Sequence, residues 1–204
     1  MDGDDTKPVS AKKWQQKQRK VVRPLDARQI DEMALGYVAR FATSAGRLTA
    51  YLKRKIRERG WDGETPADLA RVVERLVELG YIDDAGFAQA RGAGLMRRGY
   101  GARRIAETLT RDGIDAPLIA KAGGNERERR TAALEFARRR RLGPFGRGSL
   151  SQADSAPIRL DPATRTRQVA AMIRAGHPLA SARAMVEAVN GTAAQEWVDE
   201  ADDS

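Results

Sequence analysis

Ile105-Ala106-Glu107-Thr108-Leu109-Thr110-Arg111-Asp112-Gly113-Ile114-Asp115-Ala116-Pro117 is the stretch on which the reading of the fold turns. Ile105 and Leu109 stand one helical turn apart. Gly113 follows as a stop, Ile114 as an apolar return. Asp115-Ala116-Pro117 then opens a new helix with an acid at the cap and proline in the first turn. The same order occurs upstream as Leu52, Ile56, Gly60, Trp61 and Pro66. It returns downstream, one residue shorter, as Val169, Ile173, Gly176, His177 and Pro178. Similar units at intervals of this size are the mark of a repeat architecture. The sequence therefore predicts an all-α protein of three tandem three-helix modules.

Working outward, apolar residues recur at three and four, and no sustained alternation suggests a strand. Asp26 is the expected N-cap of a helix carrying Ile30, Ala34, Tyr37 and Phe41. Thr43-Ser44 caps the next, with Leu48, Leu52 and Ile56 on one face. Thr65-Pro66 is expected to start a third, lined by Leu69, Val73 and Leu76 and stopped by Gly80. Asp83-Asp84 opens the second module, and capping is a better explanation for this acid pair than metal binding or acid–base chemistry. The predicted boundaries are 25–80, 81–125 and 126–191 for the modules, with an inserted loop over 142–163, where glycine, serine and proline accumulate.

The two ends carry opposite charge. Residues 1–24 read as a disordered basic tail, since Thr6 to Arg23 holds seven bases and no acid. Residues 192–204 read as an acidic tail, with Glu196, Asp199, Glu200, Asp202 and Asp203 and no base. Across all 204 residues there are 37 Lys and Arg against 28 Asp and Glu, a net charge of +9. Cysteine is absent and histidine occurs once. That composition excludes a disulfide framework, a thiol nucleophile and Cys-based metal sites. No apolar run is long enough to span a membrane and no signal segment opens the chain, so a cytoplasmic location is expected.

No phosphate loop or dinucleotide fingerprint is present, and no residue set suggests an enzyme or a cofactor. His177 occupies the position of Trp61 and Ile114 in the other modules, which assigns it to packing. The informative feature is the basic faces. Arg47, Lys53, Arg54, Lys55 and Arg57 share the helix of Leu48, Leu52 and Ile56. Arg97, Arg98, Arg103 and Arg104 flank the matching helix of the second module, with Tyr100 the one aromatic among them. Arg138, Arg139, Arg140 and Arg141 end the first helix of the third. A stack of such modules predicts a positive stripe suited to a polyanion. Base-specific readout by a helix-turn-helix over 104–122 is not expected. Its second helix is two turns long and offers only Lys121.

The run Leu79-Gly80-Tyr81-Ile82-Asp83-Asp84, with Phe87-Ala88, Arg98-Gly99-Tyr100-Gly101, Arg103-Arg104-Ile105, Leu109 and Gly113-Ile114, resembles the centre of the RecX regulators of bacterial recombination. Upstream, Ala34-Leu35, Tyr37, Ala39-Arg40, Ser44 and Leu48 are similar to that family's first module. The resemblance implies an elongated, curved molecule. Its implied partner is the RecA recombinase filament on single-stranded DNA, bound in the filament groove by a monomer. The implied action is suppression of filament extension, ATP hydrolysis and strand exchange in DNA repair and the SOS response. It brings no catalytic residue and no cofactor, and places Arg98, Tyr100, Arg103 and Arg104 towards the filament. The partners expected are thus RecA and single-stranded, with double-stranded, DNA; a sequence-neutral DNA-binding helical protein acting without RecA is the alternative.

Overall fold

The computed structural model describes residues 23–146 and 160–201. Ten α-helices account for its regular structure: α1 (Ala27–Val38), α2 (Ala45–Arg59), α3 (Leu69–Glu78), α4 (Asp84–Arg97), α5 (Ala102–Arg111), α6 (Ala116–Ala122), α7 (Glu126–Arg140), α8 (Pro162–Arg174), α9 (Leu179–Val186) and α10 (Gly191–Asp199). No strand forms among the described residues, and the one β-bridge joins Leu25 to Trp61. The all-α reading is therefore correct.

Apolar spacing sorts these helices into three cores in chain order. The first gathers Ile30 and Ala34 of α1, Leu48 and Leu52 of α2, and Leu69, Val73 and Leu76 of α3, closed by Leu25 and Ile82. The second is smaller, built on Ala88, Leu95, Ile105, Leu109, Ile114 and Ala122 of α4 to α6. Third comes the core of α7 to α10, centred on Leu134, Phe136, Met172, Met185 and Val198.

Several local expectations hold at atomic detail. The Asp26 carboxylate accepts from Gln29 N at 2.7 Å, and Asp83 from Gly86 N at 2.9 Å, each capping its own helix. Gly60, Gly113 and Gly176 end α2, α5 and α8 at positive φ, where a side chain is strained. The third helix, however, starts at Leu69 behind an Asp68 cap, not at Thr65-Pro66. Thr65 is occupied in a turn, its carbonyl accepting from Trp61 Nε1 at 2.6 Å.

Two expectations about loops and tails are corrected. The acidic C-terminal stretch is helix α10 over Gly191–Asp199, with Ala194 and Val198 buried and Ala201 buried just beyond it. Its apolar residues Ala194, Trp197, Val198 and Ala201 fall at i, i+3, i+4 and i+7, a helical stripe beneath the conspicuous charge. The third core thus has four α-helices where three were expected. Both described ends of the expected inserted loop over 142–163 are also structured. Leu142, Gly143 and Pro144 are buried, and Gly143–Phe145 forms a 3₁₀ turn on the third core. At the other end Pro162 is the first residue of α8, capped by Asp161 through Thr164 N at 2.9 Å. The expected basic tail lies outside the described residues up to position 22, as do residues 147–159 of the expected inserted loop.

Candidate functional site

The cores meet at two joints built on one plan. At each, the start of one core's second helix abuts the glycine stop of the next core's second helix. Gly46 in the first turn of α2 meets Gly113 beyond α5 so closely that a Cβ on Gly46 would lie 2.5 Å from Gly113 Cα. Gly101 at the start of α5 meets Gly176 beyond α8, and a Cβ on Gly176 would lie 2.5 Å from Arg104 N. The sequence marks Gly113 and Gly176 as helix stops. Their use as contact points between units, and the role of Gly46, are visible only in three dimensions.

The first joint is polar. The Ser44 hydroxyl donates to the Asp112 carbonyl. The Asp84 carboxylate accepts from Ala45 N at 2.9 Å, so this acid of α4 caps α2 of the preceding core. Asp112 draws Arg91 to 3.4 Å and Arg47 to 3.9 Å, and Arg47 also lies over the Phe87 ring. The second joint is backbone-bonded and apolar. Gly101 N donates to Ala175 O at 3.0 Å, and Arg103 Nη2 to Ile173 O at 2.7 Å. His177, buried to 4% exposure, places Nε2 2.9 Å from Gly99 O and its ring beside Phe136. A carbonyl only accepts, so Nε2 carries the proton. Burial pushes the His177 pKa below its ordinary value, more than the Gly99 hydrogen bond raises it. The packing role assigned to His177 fits this geometry.

The joints decide where the basic residues point. Arg47 is engaged at the first joint and Arg103 at the second, so both fasten cores together. On α2, Arg54 and Lys55 share Glu58 at 3.6 and 2.7 Å, and the charge of Arg57 also acts on that carboxylate, while Lys53 is exposed with no hydrogen bond or ion pair among the described residues. Glu58 stays ionised, its carboxyl held below the usual range first by the Lys55 hydrogen bond. It therefore subtracts from that face.

The four arginines ending α7 fan out, as residues about 100° apart on a helix must. Arg138 turns to α10, reaching Gln195 Oε1 at 3.2 Å and lying over Phe145. Arg139 turns to α4 and joins Arg97 in a groove that Glu128 and Glu135 also line. Arg140 turns to the second joint. There it lines a groove of about 430 Å³ with Tyr100, Arg104 and Phe136. Arg141 caps α7 in the left-handed region, φ 54°. Arg98 is exposed at the end of α4.

Tyr100 is half-buried and packs against the second and third cores at once. It is a packing residue as well as a groove residue. Arg174 lines the same groove and was not singled out from the sequence. One signal was available. Arg174 follows Ile173 as Arg57 follows Ile56, so the repeat alignment carried one position further would have marked it.

Among the described residues, no group of three or more His, Asp and Glu is placed to hold a metal ion. No described helix is long and apolar enough to cross a membrane.

Comparison with known proteins matches residues 83–122 to the family model of RecX, second three-helix domain. The chain is 29% identical over 177 residues to the regulatory protein RecX of Myxococcus xanthus, covering 81% of this chain and 88% of that protein. It is 37% identical over 106 residues to the regulatory protein RecX of a Mycobacterium species (strain JLS), 48% of this chain and 56% of that one. With the protein of the same name from Deinococcus radiodurans it shares 35% over 97 residues, 48% of this chain and 45% of that one. The match thus spans about half the length of the last two relatives. All three carry the name of a regulatory protein, not of an enzyme.

Proposed function

We propose that the chain, similar over 81% of its length to a regulatory protein RecX and matched over 83–122 by the RecX second-domain model, belongs to that family and regulates homologous recombination and DNA repair by binding the RecA filament on single-stranded DNA. In this reading the protein enters the filament groove as a monomer in the cytoplasm. There it suppresses extension, ATP hydrolysis and strand exchange. The observation that carries the reading is the convergence of cations at the second joint. Arg97 and Arg139 share one groove, and Arg104, Arg140 and Arg174 another, each drawn from both sides of the joint. Basic side chains gathered from several helices suit the charge of a filament carrying DNA.

The test is ATP hydrolysis by the RecA recombinase on single-stranded DNA, titrated with this protein. Inhibition is expected well below one protein per recombinase subunit. Arg98→Ala, Arg139→Ala and Arg140→Ala together should raise the amount required by about tenfold, since each lost charge contact weakens binding. Arg103 is left intact because it fastens the joint. Inhibition that appears only once the protein coats the DNA overturns the reading and leaves a sequence-neutral DNA binder.

A further inference from the structure

The groove at the second joint has a composition unlike the others. Three guanidinium groups line it, Arg104 from α5, Arg140 from α7 and Arg174 from α8, and no carboxylate does. Arg104 lies 3.8 Å from Glu107 on its own helix, a half-exposed pair that is easily exchanged for a stronger anion. Arg140 lies over the Phe136 ring at 5.9 Å. Arg174 has no ionic partner among the described residues. Two aromatic residues, Tyr100 and Phe136, line the groove beside these arginines. The groove on α4 and α7 differs in carrying Glu128 and Glu135 next to its arginines, and the groove on α8 and α9 carries Glu187.

We propose that this groove holds an unpaired nucleotide of single-stranded nucleic acid, with its phosphate between Arg104, Arg140 and Arg174 and its base against Tyr100. The inference deepens the filament reading and rests on it for the nature of the ligand. It adds which component of the filament this part of the surface takes. Guanidinium forks match phosphate oxygens bidentately. An aromatic face beside them gives a base something to stack on, a combination used by proteins that hold single strands without reading sequence. An acidic protein segment would satisfy the arginines and leave the aromatic face unused. The walls belong to two cores, so an occupied groove also ties those cores together. Binding therefore stabilises the second joint by mass action.

The experiment uses the full chain and a labelled oligothymidylate about 20 nucleotides long, longer than a typical single-strand site. Affinity is read by fluorescence anisotropy across a salt series, with thermal unfolding to confirm that each variant folds. Replacing Arg104, Arg140 and Arg174 together by Ala should weaken binding by about tenfold or more. The slope of log affinity against log salt should flatten by about 2, three contacts at roughly 0.7 each. Tyr100→Leu keeps an apolar side chain at the joint but removes the stacking face. It should weaken binding about fivefold or more and leave the salt slope unchanged. Binding of the same variants to DNA-free RecA should match that of the unaltered protein. A triple variant with unchanged affinity and slope overturns the proposal. So does one that keeps the oligonucleotide and loses DNA-free RecA, because the groove then takes an acidic protein surface. Both results are independent of ATP hydrolysis. The groove proposal can thus fail while the filament reading stands, and the reverse.

Discussion

The two joints share a plan and differ in material. Both set the start of one helix against the glycine stop of the next core's equivalent helix, close enough that neither partner tolerates a Cβ. The first is then held by a hydroxyl, two carboxylates and two arginines around a thin contact. The second adds side-by-side packing of α4 on α7, backbone hydrogen bonds, a buried histidine and a tyrosine shared by two cores. Apolar burial is not screened by salt, whereas half-exposed ion pairs are. The same backbone geometry therefore gives a weaker joint between the first and second cores and a firmer one between the second and third. The groove with the three arginines sits on the firm joint, where its walls hold a fixed spacing.

The largest expected effect comes from closing the glycine contacts. Gly176→Ala adds a Cβ against Arg104 N at a residue with φ 98°, so steric overlap and backbone strain act together. Its cost is expected at about 3 kcal/mol or more. Gly46→Ala meets Gly113 just as closely but lies inside a regular helix, where alanine is favoured over glycine. It should cost about 1–2 kcal/mol. Urea unfolding of the two variants measures both. Equal losses would show that the joints are equally rigid and erase the distinction.

Next in size is the carboxylate that holds the first joint. Asp84→Ala leaves Ala45 N–H without its acceptor at the start of α2 and removes a favourable charge there. A loss of about 1–2 kcal/mol is expected. Hydrogen exchange should locate it at residues 45–48, with the amides of 101–105 unaffected. High salt should loosen the first joint in the unaltered protein and leave the second alone.

Much of this was legible in the sequence, and the exceptions share a cause. Ile105, Leu109 and Gly113 declared helix, face and stop because those signals are local, and the cores follow from them. The caps at Asp26, Ser44 and Asp83 were equally readable. Of the acid pair expected to cap α4, Asp83 does so, whereas Asp84 caps α2, whose start lies 39 residues upstream, and no local rule gives that partner. Helix α10 was hidden because its charges drew the reading away from the stripe of Ala194, Val198 and Ala201. The arginines were found as a set, yet their directions depend on packing. Arg103 fastens a joint, Arg138 serves α10, and Arg140 with the overlooked Arg174 faces the groove. Composition reports how much charge a surface carries, whereas only the joints decide which charges share a groove.

The smallest effect is the most specific to the second joint. His177 is the one histidine in the chain, so proton uptake by imidazole between pH 7.5 and 5.5 belongs to it alone. The unfolded ring titrates near 6.5, and burial holds the native ring below that value. As pH falls through 6.5 towards the native value, the unfolded chain takes up a proton that the folded joint resists. Stability contributed by neutral His177 is therefore full above that window and lost within it. The melting temperature should drop between pH 7.5 and 5.5 in the unaltered protein. In His177→Gln the drop over the same interval should vanish, because glutamine keeps a donor for Gly99 O without titrating. Hydrogen exchange should place the acid-induced loosening at residues 99–103, not at 44–48. A loosening that begins at the first joint would mean that its carboxylates, not this imidazole, set the response to acid.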